Sequence, residues 1–198
     1  MQLPRAVILT GGPGAGKTTL LNALHRAGFP VVPEAGRAII QAQQQQGGSA
    51  LPWVDRQAFA RAMLAWDRAR YTTHASMTRW VFFDRGLPDI RGYCRVAGIG
   101  EPPGLDGYIA RCRYHATVFL APPWRAIYAQ DAERKQDFGT AVATFEQMRA
   151  VYTECGYRTL RLPCCDVPAR RDFVLRALGI AGGTASHRNT DGAPPAGL

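Results

Sequence analysis

Gly11-Gly12-Pro13-Gly14-Ala15-Gly16-Lys17-Thr18 is the stretch that decides the fold of this 198-residue chain. It matches G-x-x-x-x-G-K-[ST] in full. The glycines let the backbone curl so that successive N–H groups converge on one point, which is how a chain cradles a phosphate. A helix that follows adds the positive end of its dipole. Lys17 is placed to reach β- and γ-phosphates, and Thr18 to offer its hydroxyl to Mg²⁺. Gly12, Pro13, Gly14, Ala15, Gly16, Lys17, Thr18 and Thr19 are the expected nucleotide-binding set. The plain alternative is a Gly-rich turn between a strand and a helix. It leaves unexplained why one of only two lysines stands here.

The flanks supply the context that the loop needs. RAVILT (5–10) is a short β-branched run that reads as a buried strand. Behind the loop, Leu20, Leu21 and Leu24 share a helical face, and Gly28 stops it. PVVPE (30–34) is a second strand. Residues 35–46 read as helix until the polar QAQQQQGGS, which reads as a loop or frayed end. Residues 52 to about 76 carry the longest helical pattern, with Val54, Phe59, Met63 and Trp66 on one side. RWVFFD (79–84) is a strand ending in a carboxylate. Then come a loop and helix (85–98), a turn-rich break (101–107), and the strand HATVFLA (115–121) closed by Pro122 and Pro123. Residues 124–138 are highly charged around a short helix. Val142, Phe145, Met148 and Tyr152 mark a further helix, 157–162 a fifth strand and 167–178 a last helix. Continuously apolar strands alternating with helices predict an α/β fold, a parallel sheet covered on both faces. Residues 1–180 read as one domain. Residues 181–198, rich in Gly, Pro and small polar residues, read as a flexible tail.

Carboxylates at strand ends are the next candidates. Asp84 ends a buried strand and is placed to hold Mg²⁺; the alternative is that it caps the next helix. Arg85 could reach phosphate or substrate, or form a surface ion pair. Glu34 stands at the end of the second strand, where a parallel sheet lines its ligand crevice. There it can bind a substrate hydroxyl or take its proton. Arg37 is a substrate candidate, or a helix-surface partner of Glu34. In the late charged segment Arg134 is the best candidate for a lid arginine that stabilises the transferring phosphoryl group, with Lys135 and Arg125 behind it; the alternative is a solvated helix face. Trp53, Trp66 and Tyr93 could stack on a planar acceptor ring or simply pack the core. Adenine contacts are expected from the 163–168 loop. Because Lys17 reads as a surface charge, its removal is expected to leave the fold intact.

Composition excludes more than it selects. The net charge is +9, carried by 22 Arg and two Lys against 15 acids. That suits polyphosphate partners, or reflects base composition, and with no aromatic-basic interleaving it gives little support to nucleic-acid binding. Five Cys in an odd, unpaired pattern and four scattered His predict reduced thiols and no structural metal. No run approaches the length of a membrane span, and the N-terminus is not a signal peptide, so a soluble cytoplasmic protein is expected.

GGPGAGKTT, VVPEAGRAII, a strand ending FFDRG, and VFLAPPW with a downstream D-x-x-R (Asp131 to Arg134) together resemble the small "AAA domain" family of P-loop ATPases and kinases. That family is similar to the nicotinamide riboside kinase domain of NadR-type proteins and, more distantly, to deoxynucleoside kinases. The resemblance covers about residues 5–178. It implies a P-loop NTPase fold of nucleoside-kinase type, with a five-stranded parallel sheet in order 2-3-1-4-5. It also implies Glu34 facing the acceptor, Asp84 facing magnesium and a lid over 125–138. The expected function is Mg-ATP-dependent phosphoryl transfer to a small-molecule hydroxyl, nucleoside-like or another polar metabolite. The alternative is a regulatory ATP- or GTP-binding protein that hydrolyses slowly and acts as a switch or adaptor. The N-K-x-D element of a Ras-type guanine site is absent from the sequence.

Overall fold

The computed structural model describes residues 4–74, 77–128 and 138–180. Five strands make one sheet: β1 (Ala6–Gly11), β2 (Val31–Val32), β3 (Val81–Asp84), β4 (Thr117–Ala121) and β5 (Arg158–Arg161). Their order is β2-β3-β1-β4-β5, and every pairing is parallel. This is the topology implied by the resemblance. Seven helices are described: α1 (Lys17–Arg26), α2 (Ala35–Gln46), α3 (Arg56–His74), α4 (Leu87–Ala97), α5 (Leu105–Arg111), α6 (Phe138–Glu154) and α7 (Val167–Ala177).

Alternation along β1 sets the two layers. Side chains of successive strand residues point to opposite faces. Ala6 and Ile8 join a core with Phe59 of α3, Ile90 of α4 and Tyr152 of α6. Val7 and Leu9 join the opposite core with Leu20 and Leu24 of α1 and Val174 of α7. β1, β3 and β4 are buried throughout, so they read as unbroken apolar runs. β5 lies at the edge and carries an exposed arginine at each end, a device that discourages further strand pairing.

Several boundaries differ from expectation. The glutamine run is helix: α2 continues to Gln46 and ends where Gly47 takes a left-handed φ of 65°. Glutamine is a good helix former, and this end of the helix faces solvent, so polarity there does not signal a loop. α5 was not anticipated, because seven residues beside Pro102, Pro103 and Gly104 carry too short an apolar pattern. Val54 precedes α3 and is 62 % exposed, so it does not belong to the buried stripe. Val142 likewise faces outward from α6; Ala141, Phe145, Met148, Val151 and Tyr152 are the buried residues. Among the described residues no helix is long and apolar enough to cross a membrane. The 181–198 segment, and Arg134 and Lys135 of the expected lid, lie outside the described residues. In the 124–138 stretch the described helix is one 3₁₀ turn, Arg125–Ile127.

Candidate nucleotide and acceptor site

The loop between β1 and α1 is bent by glycine. Gly16, the N-cap of α1, has φ 73°, a region that L side chains rarely adopt. Gly11 has φ 131°, and a Cβ there would run into the carbonyl of Ala121 in β4. The loop thus sits hard against the sheet and opens outward at its other face.

Lys17 does not behave as a surface charge. It is 7 % exposed, and its Nζ donates to the carbonyls of Gly12 (2.8 Å) and Gly11 (3.3 Å). The ammonium is folded back against the loop's own carbonyls. The premise that Lys17 is a surface charge is therefore corrected, and its deletion would take a donor from two backbone acceptors. A Cβ on Gly12 would stand 2.4 Å from the Ala141 carbonyl oxygen, so the loop packs closely on α6 there.

Two cavities meet around the ends of β1, β2 and β3. The first, about 500 Å³, is lined by Pro13 through Thr19, Glu34, Arg37, Asp84, Trp124 and Ile127. Cys165, Asp166, Val167 and Arg170 also line it, so the 163–168 loop borders the same cavity as the phosphate loop. The second, about 440 Å³, runs between α2, α3, α4 and α6. Its apolar wall includes Trp53, Phe59, Met63 and Tyr93, and its polar residues are Glu34, Asp67, Asp89, Arg56, Arg85 and Thr144. Pro13 and Glu34 line both cavities.

A buried arginine bridges Glu34, at the end of the second strand, and Asp89 of α4. Arg85 Nε donates to Glu34 Oε1 at 3.1 Å, and its Nη1 donates to Asp89 Oδ1 at 3.0 Å. Both pairs are well shielded, so Arg85 is not the surface ion pair of the plain alternative. Burial opposes its charge, but Glu34, Asp89 and Asp84 outweigh that and hold the guanidinium above its usual range. Among the described residues Arg85 is the sole non-glycine with positive φ, 70°. Such a conformation persists where its surroundings over-determine it.

Asp84 is buried, and its Oδ1 has no hydrogen-bond partner among the described residues. Burial first, then the charge of Glu34, pushes it up to about 6 against the pull of Lys17 and Arg85. It does not cap the next helix; Asp89 does, accepting from Gly86 N at 3.0 Å. An orphaned carboxylate oxygen in the same cavity as the Thr18 hydroxyl is a donor set that fits a hard divalent cation.

Three residues here carried no sequence signal. Asp89 is a buried hub. It accepts from the Thr10 hydroxyl, from Arg85 and from Tyr152 Oη at 2.5 Å. Asp67 of α3 lines the second cavity; burial, then Asp89 and Glu34, hold it well above the usual carboxylate range. Arg170 reaches the phosphate loop from α7. Trp66 is corrected: it lines a separate depression beside Arg70 and Gln41, not the cavity shared by Trp53 and Tyr93.

The fold and this loop place the chain in a known class. The sequence model of the "AAA domain" family matches residues 6–170, and the chain belongs to that family. No curated protein matches it. Among solved structures it is similar to the NadR protein in complex with NR (TM-score 0.65, 18 % identity), covering 93 % of this chain and 54 % of that one. This chain thus spans about half of that protein. It is also similar to deoxyadenosine kinase from M. mycoides with bound dATP, with TM-score 0.56, 13 % identity and coverage of 88 % and 99 %. A third is shikimate kinase from Acinetobacter baumannii in complex with shikimate, with TM-score 0.52, 14 % identity and coverage of 90 % and 93 %. At these identities the likeness is one of fold, and the fold is that of the P-loop kinases.

Proposed function

We propose that this protein is an ATP-dependent phosphotransferase whose acceptor is a small hydroxyl compound. The observation that carries the reading is the meeting of two cavities at Glu34, one lined by the phosphate loop and one with apolar walls. A nucleotide in the first and an alcohol in the second would bring a γ-phosphoryl group and a hydroxyl together at that carboxylate. An NTPase that only hydrolyses has no need of the second.

Each residue has a role in that reading. The loop N–H groups and Lys17 bind the phosphates, and the charge they supply is felt most where the transferring oxygens gather it. Glu34 accepts the hydrogen bond of the attacking hydroxyl, and Arg85 fixes the carboxylate's direction. Thr18 and Asp84 would hold Mg²⁺, which when bound draws charge from the phosphoryl oxygens. Arg37 lines the phosphate cavity and is a further substrate contact. Trp53 and Tyr93 offer flat apolar surface to the rest of the acceptor. The neighbouring kinases support the phosphotransfer class, and their dATP, NR and shikimate are ligands of those proteins.

The acceptor cavity is lined by three carboxylates and two guanidiniums, and Arg85 is already paired with two of the three. Because burial holds Asp67 well above the usual carboxylate range, the lining charges nearly cancel, and the screen offers each acceptor both free and as its phosphate ester. The test is a transfer screen. Purified protein with Mg-ATP, and separately Mg-GTP, is incubated with nucleosides, nicotinamide riboside, sugars and polyols, each beside its monophosphate. Products are read by mass for the gain of one phosphoryl group. A hit among the unphosphorylated compounds supports the reading. Tight nucleotide binding with slow hydrolysis and no acceptor would overturn it in favour of a nucleotide-dependent switch.

A further inference from the structure

Arg170 is a buried charge that the reaction above leaves unused. It lies in α7, is 2 % exposed, and lines the phosphate cavity with Lys17, Thr18 and Thr19. Among the described residues its one side-chain hydrogen bond runs from Nη1 to the carbonyl of Ala15, at 3.2 Å. Its Nε is buried without a partner, and among the described residues it makes no ion pair. Contrast Arg85, which lines the neighbouring cavity and is matched by two carboxylates. The nearest aromatic surface is Trp124, 5.9 Å from the guanidinium carbon. A Cβ on Gly16 would stand 2.7 Å from Nη1, so the guanidinium packs directly on the loop's backbone.

A guanidinium stripped of water and given no counter-ion is costly to a fold. Packing alone does not call for it, since a methionine would fill the same place with no charge to desolvate. The cost is recovered if an anion arrives. The cavity that Arg170 lines is the one built for phosphates, and its planar fork can hold the Ala15 carbonyl with one arm and present its remaining donors to an oxyanion. We propose that Arg170 is a fixed phosphate-binding cation of this site, whose counter-charge is the polyphosphate chain of the bound nucleotide. It acts from α7, on the cavity that Lys17 also lines. This rests on the reading of the loop as a nucleotide site. Burial also holds the group below the usual arginine range, which an approaching anion would reverse.

The test uses the full chain and its Arg170→Met and Arg170→Lys variants, with Lys17→Met as a control for the loop. Melting is followed without ligand, and binding of Mg-ATP and of inorganic tripolyphosphate is measured by titration. Arg170→Met is expected to melt at or above wild type when empty. It is expected to bind both ATP and tripolyphosphate on the order of tenfold more weakly, or worse, with Arg170→Lys between. An empty Arg170→Met that melts lower yet binds ATP normally would make Arg170 a packing residue and overturn the assignment. Weakened ATP with unchanged tripolyphosphate would assign it to the base or ribose and overturn it equally. A wild-type protein that binds neither ATP nor GTP would overturn the loop reading itself, a result distinct from the other two.

Discussion

Arg85 Nε stands 3.1 Å from Glu34 Oε1, tying the residue after β3 to the residue that opens α2. The same guanidinium reaches Asp89 at 3.0 Å. One arginine therefore fixes the carboxylate at the junction of the two cavities and neutralises a hub of α4. Both partners are largely out of water, so breaking the contact costs far more than breaking an exposed ion pair. Removing one member leaves the others uncompensated. Arg85→Ala is expected to lower stability by about 3–5 kcal/mol, read from urea unfolding. Arg85→Lys should lose the paired geometry and recover only part of the loss. An Arg85→Ala protein as stable as wild type would show that the carboxylates do not depend on it.

The elevated Asp84 makes a signed prediction about pH in metal-free protein. Its folded value, about 6, lies above the unfolded value of 3.8. Between these values the folded state holds the proton more tightly. Asp84's contribution to stability is thus fully present below the unfolded value and is lost as pH rises through about 6. Asp84→Asn cannot ionise and escapes that loss. In urea titrations without divalent cations, the Asn variant should gain on wild type as pH rises from 4 to 7, by up to about 3 kcal/mol. A constant difference across that range would contradict the burial argument. With Mg²⁺ and nucleotide present the order should reverse, because the variant lacks the charged ligand.

Lys17→Met separates binding from folding less cleanly than a surface lysine would. Two loop carbonyls lose their donor, so a loss of about 1–2 kcal/mol in stability is expected. Nucleotide affinity should fall far more, on the order of 10–100-fold, the value of charge-assisted contacts to phosphate. Calorimetric titration with ATP checks this. Undiminished affinity would remove Lys17 from the phosphate site.

Trp53 is the aromatic whose role its exposure decides. It is 56 % exposed on the wall of the acceptor cavity, so it is not core. Trp53→Ala should change stability by no more than about 0.5 kcal/mol. It should raise the acceptor KM on the order of tenfold, the scale of one lost aromatic stack, and leave the KM for ATP alone. A large loss of stability would return Trp53 to packing.

The division between what the sequence reveals and what it hides has a physical cause. The phosphate loop, its strand and its helix are visible because their function needs local backbone conformation, and glycine at Gly11 and Gly16 writes that into adjacent residues. Asp84 is visible because it closes an unbroken apolar run. Asp67, Asp89 and Arg170 are not, because each is a polar residue on an amphipathic helix. Its period looks the same whether the side chain faces water or a buried site. Only the packing of α3, α4 and α7 on the sheet tells the two apart. The glutamine end of α2 shows the converse error: solvent exposure of a helix was taken for the lack of one.

The proposed reaction passes a phosphoryl group, at Glu34, from a nucleotide in one cavity to an alcohol in the other. The most direct test is to quantify ADP and phosphorylated acceptor together, in wild type and in Glu34→Gln. The account predicts that in wild type the two products appear in equal amounts, well above ADP formed without acceptor. In Glu34→Gln the acceptor product should fall by on the order of 10²–10⁴-fold while ATP still binds. ADP formation that ignores every acceptor, or a Glu34→Gln variant that transfers as well as wild type, would contradict it.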